Sequence, residues 1–468
     1  MGTWTSPEES VDIMVHAAMT YTGKVLMWGV AQGMWSLPAP YNYAQLYDPI
    51  ADTVTDVPSP FAHDMVCGGE SILSNGKILF TGGAIVPVSY YGTGIVNSAL
   101  FDPKTETWSQ TGNMNYARWY PTNIELPNGE MLTTSGHTAN AQQVAAEMEE
   151  YNPTTGTWTL LPPSANNPDP GNNYLFPRMD LLPNGQIFMS APYQTSYTFN
   201  PATNAWTKIG NMQYGDRYYA GHLLLPNSYT VMLVDGTPTN ANGGTGYTAT
   251  TESIDLSAAK PVWTYGASMN IGRYNAIVAW LADGSAIAVG GNQGDTQDGK
   301  YGAPVETPEI YDFATQTWTE MNPQVGVRAY HSVGVLLPDG RFFSAGSTSN
   351  TTYDHDYEIF SPPYLYNGTR PTITGSPASV QYGQQFTITT PDASTISSVA
   401  LIMPGATTHA NDMQERYVPL TFSTGSGSLT ATAPSTANYA PPGYYMLVIV
   451  NNNGVPSVMP FVQVGVTG

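Results

Sequence analysis

Four side chains in this sequence could do redox or ligand chemistry together: the single cysteine Cys67, the phenols Tyr120 and Tyr330, and the imidazole His331. Their spacing relates them. Cys67, Tyr120 and His331 each stand nine residues before the glycine of an Asn-Gly or Asp-Gly pair, at Gly76, Gly129 and Gly340. Applied throughout the chain, the same count selects Met14, Cys67, Tyr120, Phe176, Tyr219, Asn275 and His331. If the turns belong to equivalent repeats, these seven residues lie at one level around a common centre. A site of two imidazoles, phenolates and one open position suits a tetragonal Cu(II) better than zinc, magnesium or calcium, which call for thiolate or carboxylate sets. One copper ion changes by one electron, so two-electron oxidation of an alcohol needs a second redox centre, which a ligand tyrosine can supply.

Each residue also has a plainer reading. A lone buried cysteine is usually a packing group. Tyrosine and histidine near a channel are often only hydrogen-bonded filler, as expected for Tyr219 with His222. An arginine stands just before several of these positions, at Arg118, Arg217, Arg273 and Arg328, and a residue that recurs so regularly is expected to brace the repeats.

The repeat itself is legible. DPKTETW, NPTTGTW, NPATNAW, LSAAKPVW and DFATQTW end at Trp108, Trp158, Trp206, Trp263 and Trp318, with GTW ending at Trp4. A degenerate copy, LYDPIADTVT, lacks the tryptophan, and the segment around Pro362 lacks a final strand that the N-terminal Thr3-Trp4-Thr5 can supply. Hairpin pairs precede the repeats at Asn75-Gly76, Asn128-Gly129, Asn184-Gly185, Asp283-Gly284 and Asp339-Gly340, with Thr22-Gly23 and Asn227-Ser228 as variants. Such pairs are those type I′ turns demand. Seven turns predict an all-β fold: a seven-bladed kelch-type β-propeller over residues 1–370, closed by its N-terminal strand. From 371 to 468 the repeat stops. Alternating segments such as QQFTITT, SVALIMP and YYMLVIVN predict an immunoglobulin-like β-sandwich.

Composition limits the partners. The chain has 14 Lys+Arg against 35 Asp+Glu and a net charge of −21, which argues against nucleic acid and anionic lipid. No segment reaches the roughly 18 consecutive apolar residues of a membrane span. One cysteine excludes an internal disulfide framework. Sequons at Asn350 and Asn367 are compatible with export. MGTWTSPEES has no basic segment leading into an apolar one, so a secretion signal, expected for an extracellular protein, is absent from this chain. A monomer is expected.

Four stretches resemble the copper radical oxidase family of galactose oxidase and glyoxal oxidase: HDMVCGGESILSNGKILFTGG, ARWYPTNIELPNG, GVRAYHSVGVLLPDGRFFSAG and, in the C-terminal part, GATTHANDMQERYVPL. The resemblance covers nearly the whole chain, with the motifs in the family's order. It implies that Cys67 forms a thioether with Tyr120, giving a protein-derived radical cofactor. It also implies that copper is held by Tyr120, Tyr330, His331 and His409, the last sent back from the sandwich. Tyr330 would act as base, dioxygen would be reduced to hydrogen peroxide, and an aromatic side chain would shield the radical, for which Trp119 is the candidate by its adjacency to Tyr120, with simple packing as its plainer reading. The Arg-Trp-Tyr run is more similar to glyoxal oxidases and their bacterial relatives. The sugar-binding arginine segment and N-terminal carbohydrate-binding domain of galactose oxidase find no match. Small aldehydes or primary alcohols are therefore expected as substrates, and a bacterial origin is favoured. The alternatives are a kelch propeller that only binds a partner and, with less support, a sialidase-like propeller, whose Asp-box repeat is missing.

Overall fold

The structure, a computed structural model, describes residues 1–30, 43–61, 63–84, 93–140, 143–169, 171, 175–226, 229–238, 246–294, 303–348 and 353–465. Asn227-Ser228 and the sequon at Asn350 fall outside these residues.

Nearly all the regular secondary structure among the described residues is strand. Seven antiparallel sheets follow one another, six of them running through four strands in chain order from the innermost outward. Their inner strands are Ile13–Met19, Gly69–Ile72, Thr122–Glu125, Arg178–Leu181, Gly221–Leu224, Ile277–Trp280 and Val333–Leu336. In the seventh sheet the outer strand is Thr3–Trp4, which pairs with Tyr353–Ser361 so that Trp4 lies opposite Phe360. The inner strand of the first sheet packs against those of both the second and the seventh.

The recurring tryptophan has a physical task. Each of the six indoles donates its N–H to the territory of the preceding sheet: Trp108 to the Val57 carbonyl, Trp158 to Ser98, Trp206 to the Ala165 carbonyl, Trp263 to Ser196, Trp318 to the Ala267 carbonyl and Trp4 to the Asn322 carbonyl, all at 2.7–3.1 Å. An outer strand so fastened cannot splay from its neighbour without leaving a buried donor unpaired. The recurring arginines do the matching work further in. Arg118, Arg217, Arg273 and Arg328 are fully buried and pair with Glu149, Glu252, Glu309 and Glu358 on the third strand of their sheets. Every one of those carboxylates also accepts two successive backbone N–H groups, as Glu309 does from Asn270 and Ile271. They are structural braces, as expected from their recurrence.

The hairpin turns differ from the expected type I′. Gly76, Gly129, Gly185, Gly284 and Gly340 have φ near +80°, while the Asn or Asp before each does not enter the left-handed region. The N–H of Gly76 returns to the Leu73 carbonyl, and the Asn75 side-chain oxygen accepts the N–H of Lys77. This is a type I turn ending in a left-handed glycine. Asn or Asp is selected for that side-chain acceptor, so it has no need of a positive φ.

Beyond Pro371 a five-stranded and a three-stranded sheet share one core. Two central strands of the larger sheet are buried on both faces. Val399, Leu401, Leu447 and Ile449 face the smaller sheet, while the alternating Ala400, Ile402, Met446 and Val448 join the cluster of Trp280, Leu336 and Phe342 from the repeat region. Period-two alternation with both faces apolar makes this part continuous with the rest.

Candidate metal centre

Six of the seven residues selected by the nine-residue count share a rare conformation: Cys67 (φ 61°), Tyr120 (68°), Phe176 (46°), Tyr219 (54°), Asn275 (64°) and His331 (71°). Each stands two residues before its inner strand begins. The left-handed region costs an L-residue roughly 1–2 kcal/mol, so neighbours must enforce it. Part of that enforcement is backbone to backbone: Tyr120 donates to the Cys67 carbonyl at 2.8 Å, Phe176 to that of Tyr120 and Asn275 to that of Tyr219, both at 3.1 Å. Met14 is the exception. It lies within the strand Ile13–Met19, where the register shifts between Met14 and His16.

His409 arrives from the other end of the chain. The strands Ala406–Thr408 and Asn411–Asp412 extend the first sheet, with His16 opposite Thr408. Their two-residue turn is His409-Ala410, with φ of 50° and 61°. Two positive values in such a turn mark type I′, here on residues without glycine's freedom.

These backbones bring the side chains to one point. His409 Nε2 lies 3.1 Å from the Tyr120 hydroxyl and 3.6 Å from Cys67 Sγ, and His331 Nε2 lies 3.9 Å from the same sulfur. The hydroxyls of Tyr120 and Tyr330 hydrogen-bond to each other. The ligand atoms of Cys67, His331 and His409 all fall within 4.8 Å of one another. All five residues are buried. Trp119 is half-buried, and its indole stacks on the Tyr120 ring at 3.9 Å between centroids and 14° between planes.

Both imidazoles are held in one tautomer. The Thr408 hydroxyl donates to the Val15 carbonyl at 2.9 Å, so it can only accept from His409 Nδ1–H, 2.5 Å away. Thr348 repeats the device, donating to the Tyr330 carbonyl and accepting from His331 Nδ1–H at 3.0 Å. Each Nε2 therefore presents a lone pair to the centre, the form a metal ligand takes. Burial pushes His331 down to about 3 and His409 well below its usual value, and lifts the Tyr120 phenol well above its own. Such a pocket carries phenolate only with a cation beside it. Two neutral imidazole nitrogens, two phenols and a thiol, with no carboxylate among them, fit copper.

Thr348, Thr408, His16 and Phe176 were not assigned roles from the sequence. Phe176 stacks on Tyr120 at 4.6 Å, and His16 accepts the Cys67 N–H at 2.9 Å. A threonine directly before His409 is a visible signal; the partners of His331 and Cys67 are distant in sequence. Tyr219 and His222, read together as filler, separate. Tyr219 meets Tyr330 edge-on at 5.6 Å, whereas His222 lies 3.6 Å from Asp180.

The Glyoxal oxidase N-terminus family model matches residues 41–364, and the Galactose oxidase-like, Early set domain matches 370–464. A galactose oxidase of Gibberella zeae is 30% identical over 99% of this chain and 71% of its own length. An aldehyde oxidase GLOX of Vitis pseudoreticulata is 28% identical over 86% of this chain and 82% of its own. A fungal alcohol oxidase of the AA5 family, solved in complex with copper, shares the fold at a TM-score of 0.85 and 23% identity, covering 99% of this chain and 100% of that one. The chain belongs to the galactose oxidase and glyoxal oxidase family of copper radical oxidases. It is a copper-dependent oxidase of a small-molecule substrate and dioxygen.

Proposed function

We propose that Tyr120, Tyr330, His331 and His409 hold the copper, that Cys67 is joined to Tyr120 as a thioether radical cofactor, and that the enzyme oxidises small aldehydes or primary alcohols to give hydrogen peroxide. The observation carrying this is the convergence of two imidazole lone pairs, two phenols and the only thiol at one buried point. Copper bound there supplies a one-electron couple between its +2 and +1 states. Tyr330, as phenolate, takes the proton of the substrate hydroxyl. The Tyr120 radical takes a hydrogen atom from the adjacent carbon, so two electrons leave the substrate. Dioxygen takes both, with two protons, as hydrogen peroxide. Thr348 and Thr408 hold the imidazoles, and Trp119 covers the radical ring.

The pocket beside Tyr120 favours small substrates. Tyr120, Leu175, Phe176, Arg178, Pro192, Tyr218 and Tyr219 line a small recess beside the ring, with room for little more than a small molecule's reacting end. The chain has no match to the sugar-binding arginine segment of galactose oxidase, and a pocket lacking those donors holds a hexose poorly in register. The seven sheets are read as the blades of a kelch-type propeller over 1–370, and the two C-terminal sheets as an immunoglobulin-like sandwich over 371–468 that donates His409. We also take the protein to be a secreted monomer that binds neither nucleic acid nor membrane; among the described residues no helix is long and apolar enough to cross one.

The test is intact mass after copper and oxygen, expected to fall by two hydrogens in the native chain and not in Cys67→Ala. That variant should keep its fold and most copper binding but lose turnover severely. Peroxide release should be faster from glycolaldehyde or methylglyoxal than from galactose. An unchanged mass, or equal rates on galactose, would refute the cofactor or the substrate half respectively.

A further inference from the structure

We propose that His16, oriented by Glu70, is a positioning residue for building the cofactor: it holds Cys67 where its sulfur can join the Tyr120 ring. This rests on the Cys67–Tyr120 thioether reading above.

Three of the six left-handed residues share one backbone contact that Cys67 does not make. Tyr120, Phe176 and Asn275 donate their backbone N–H to the carbonyl of the corresponding residue one sheet earlier. For Cys67 that residue is Met14, which lies inside its strand. The N–H of Cys67 goes instead to His16 Nε2 at 2.9 Å. An amide N–H only donates, so Nε2 is a lone pair and the ring proton is on Nδ1, from which Glu70 Oε2 accepts at 2.7 Å. Both side chains are fully buried. Trp28 stacks on the imidazole at 4.6 Å and 8°, fixing its plane.

Two consequences follow from this arrangement. Cys67 sits at φ 61°, a strained conformation that persists only where the surroundings impose it. Its carbonyl is held by Tyr120 N–H and its N–H by His16, which together aim the Cα–Cβ bond. His16 also pairs through its strand with Thr408, directly before His409. One residue thus sets the sulfur by its ring and the His409 turn by its backbone, from a strand belonging to neither.

Thioether formation breaks the Cys67 S–H and one Tyr120 ring C–H beside the hydroxyl, and forms one S–C bond. Two protons and two electrons leave, and one dioxygen takes them as hydrogen peroxide. No step needs His16 to exchange a proton. Its contribution is placement, and a misplacement of about 1 Å can cost roughly a hundredfold in rate.

The experiment follows intact mass with time after copper and air are added to the full-length protein expressed without copper. His16→Phe keeps a ring against Trp28 but offers Cys67 no acceptor; roughly hundredfold slower loss of two hydrogens is expected, with near-ultraviolet dichroism matching the native chain. Glu70→Leu frees the imidazole to carry its proton on Nε2, facing the Cys67 N–H, and should slow the reaction likewise. Glu70→Gln still accepts from Nδ1–H and should react near the native rate. Native kinetics in folded His16→Phe would overturn the proposal. Should that variant not fold, native kinetics in Glu70→Leu overturn it equally. No mass loss in the native chain would instead remove the thioether reading beneath it.

Discussion

Thr408 Oγ1 lies 2.5 Å from Nδ1 of its own neighbour His409 while donating its proton to the Val15 carbonyl, so the residue before the histidine decides which nitrogen faces the centre. Thr408→Val removes that acceptor and leaves both tautomers open. Losing such a partner to a ligand histidine typically weakens metal binding about 10- to 100-fold. Copper titration against a competing chelator should find that loss, with Thr408→Ser close to native. Equal affinity in the valine variant would show that the hydroxyl only fills space.

Trp119 covers the Tyr120 ring by stacking. Trp119→Ala should cost about 1 kcal/mol from the lost ring contact and shorten the life of the oxidised radical, followed by its optical absorption. Trp119→Phe should retain most of that lifetime. A radical equally long-lived in the alanine variant would refute shielding.

Glu309 neutralises the fully buried Arg273 at 2.7 Å and takes two backbone N–H bonds besides. Glu309→Ala leaves a cation without its partner, a loss of about 3–5 kcal/mol for pairs of this kind. The double variant Arg273→Met, Glu309→Leu should lose less than Glu309→Ala alone. Urea unfolding of the three proteins measures both, and a double variant less stable than the single one would contradict the bracing account.

Burial lifts the Asp180 carboxyl to about 7, against the pull of Arg416. The folded pKa is thus above that of the unfolded chain, near 3.9, and the fold favours the neutral acid. The stability this gives is complete below about pH 4 and is lost as pH rises toward about 7. Asp180→Asn does not titrate. It should gain on the native protein between those limits, reaching about 1–3 kcal/mol at pH 8, read from thermal midpoints over pH 4–8. A constant difference across the range would mean that Asp180 is ionised throughout.

The sequence by itself carried the repeat and its register, because local chemistry encodes both. A left-handed glycine closes the hairpin at a set distance from the inner strand, so counting back from it finds the left-handed residue in five sheets, and the same count from Ser228 finds Tyr219 in a sixth. The same periodicity exposes the tryptophans that fasten sheets and the arginines that brace them. The four motifs in order named Cys67, Tyr120, Tyr330, His331 and His409 as candidates, and these side chains lie together in the fold.

Tertiary structure decided what periodicity cannot express. In the first sheet a register shift between Met14 and His16 breaks the count, and it is His16 that meets Cys67. A shift by one residue leaves the composition unaltered while changing which side chain faces inward. His409 reaches the centre only because Ala406–Thr408 adds to the edge of a sheet begun almost 400 residues earlier, where a type I′ turn projects the imidazole. Thr348 serves His331 across a sheet end, and no local pattern records that meeting. Long-range pairing of this sort depends on the packing of whole sheets, and the distances it sets are those on which the chemistry depends.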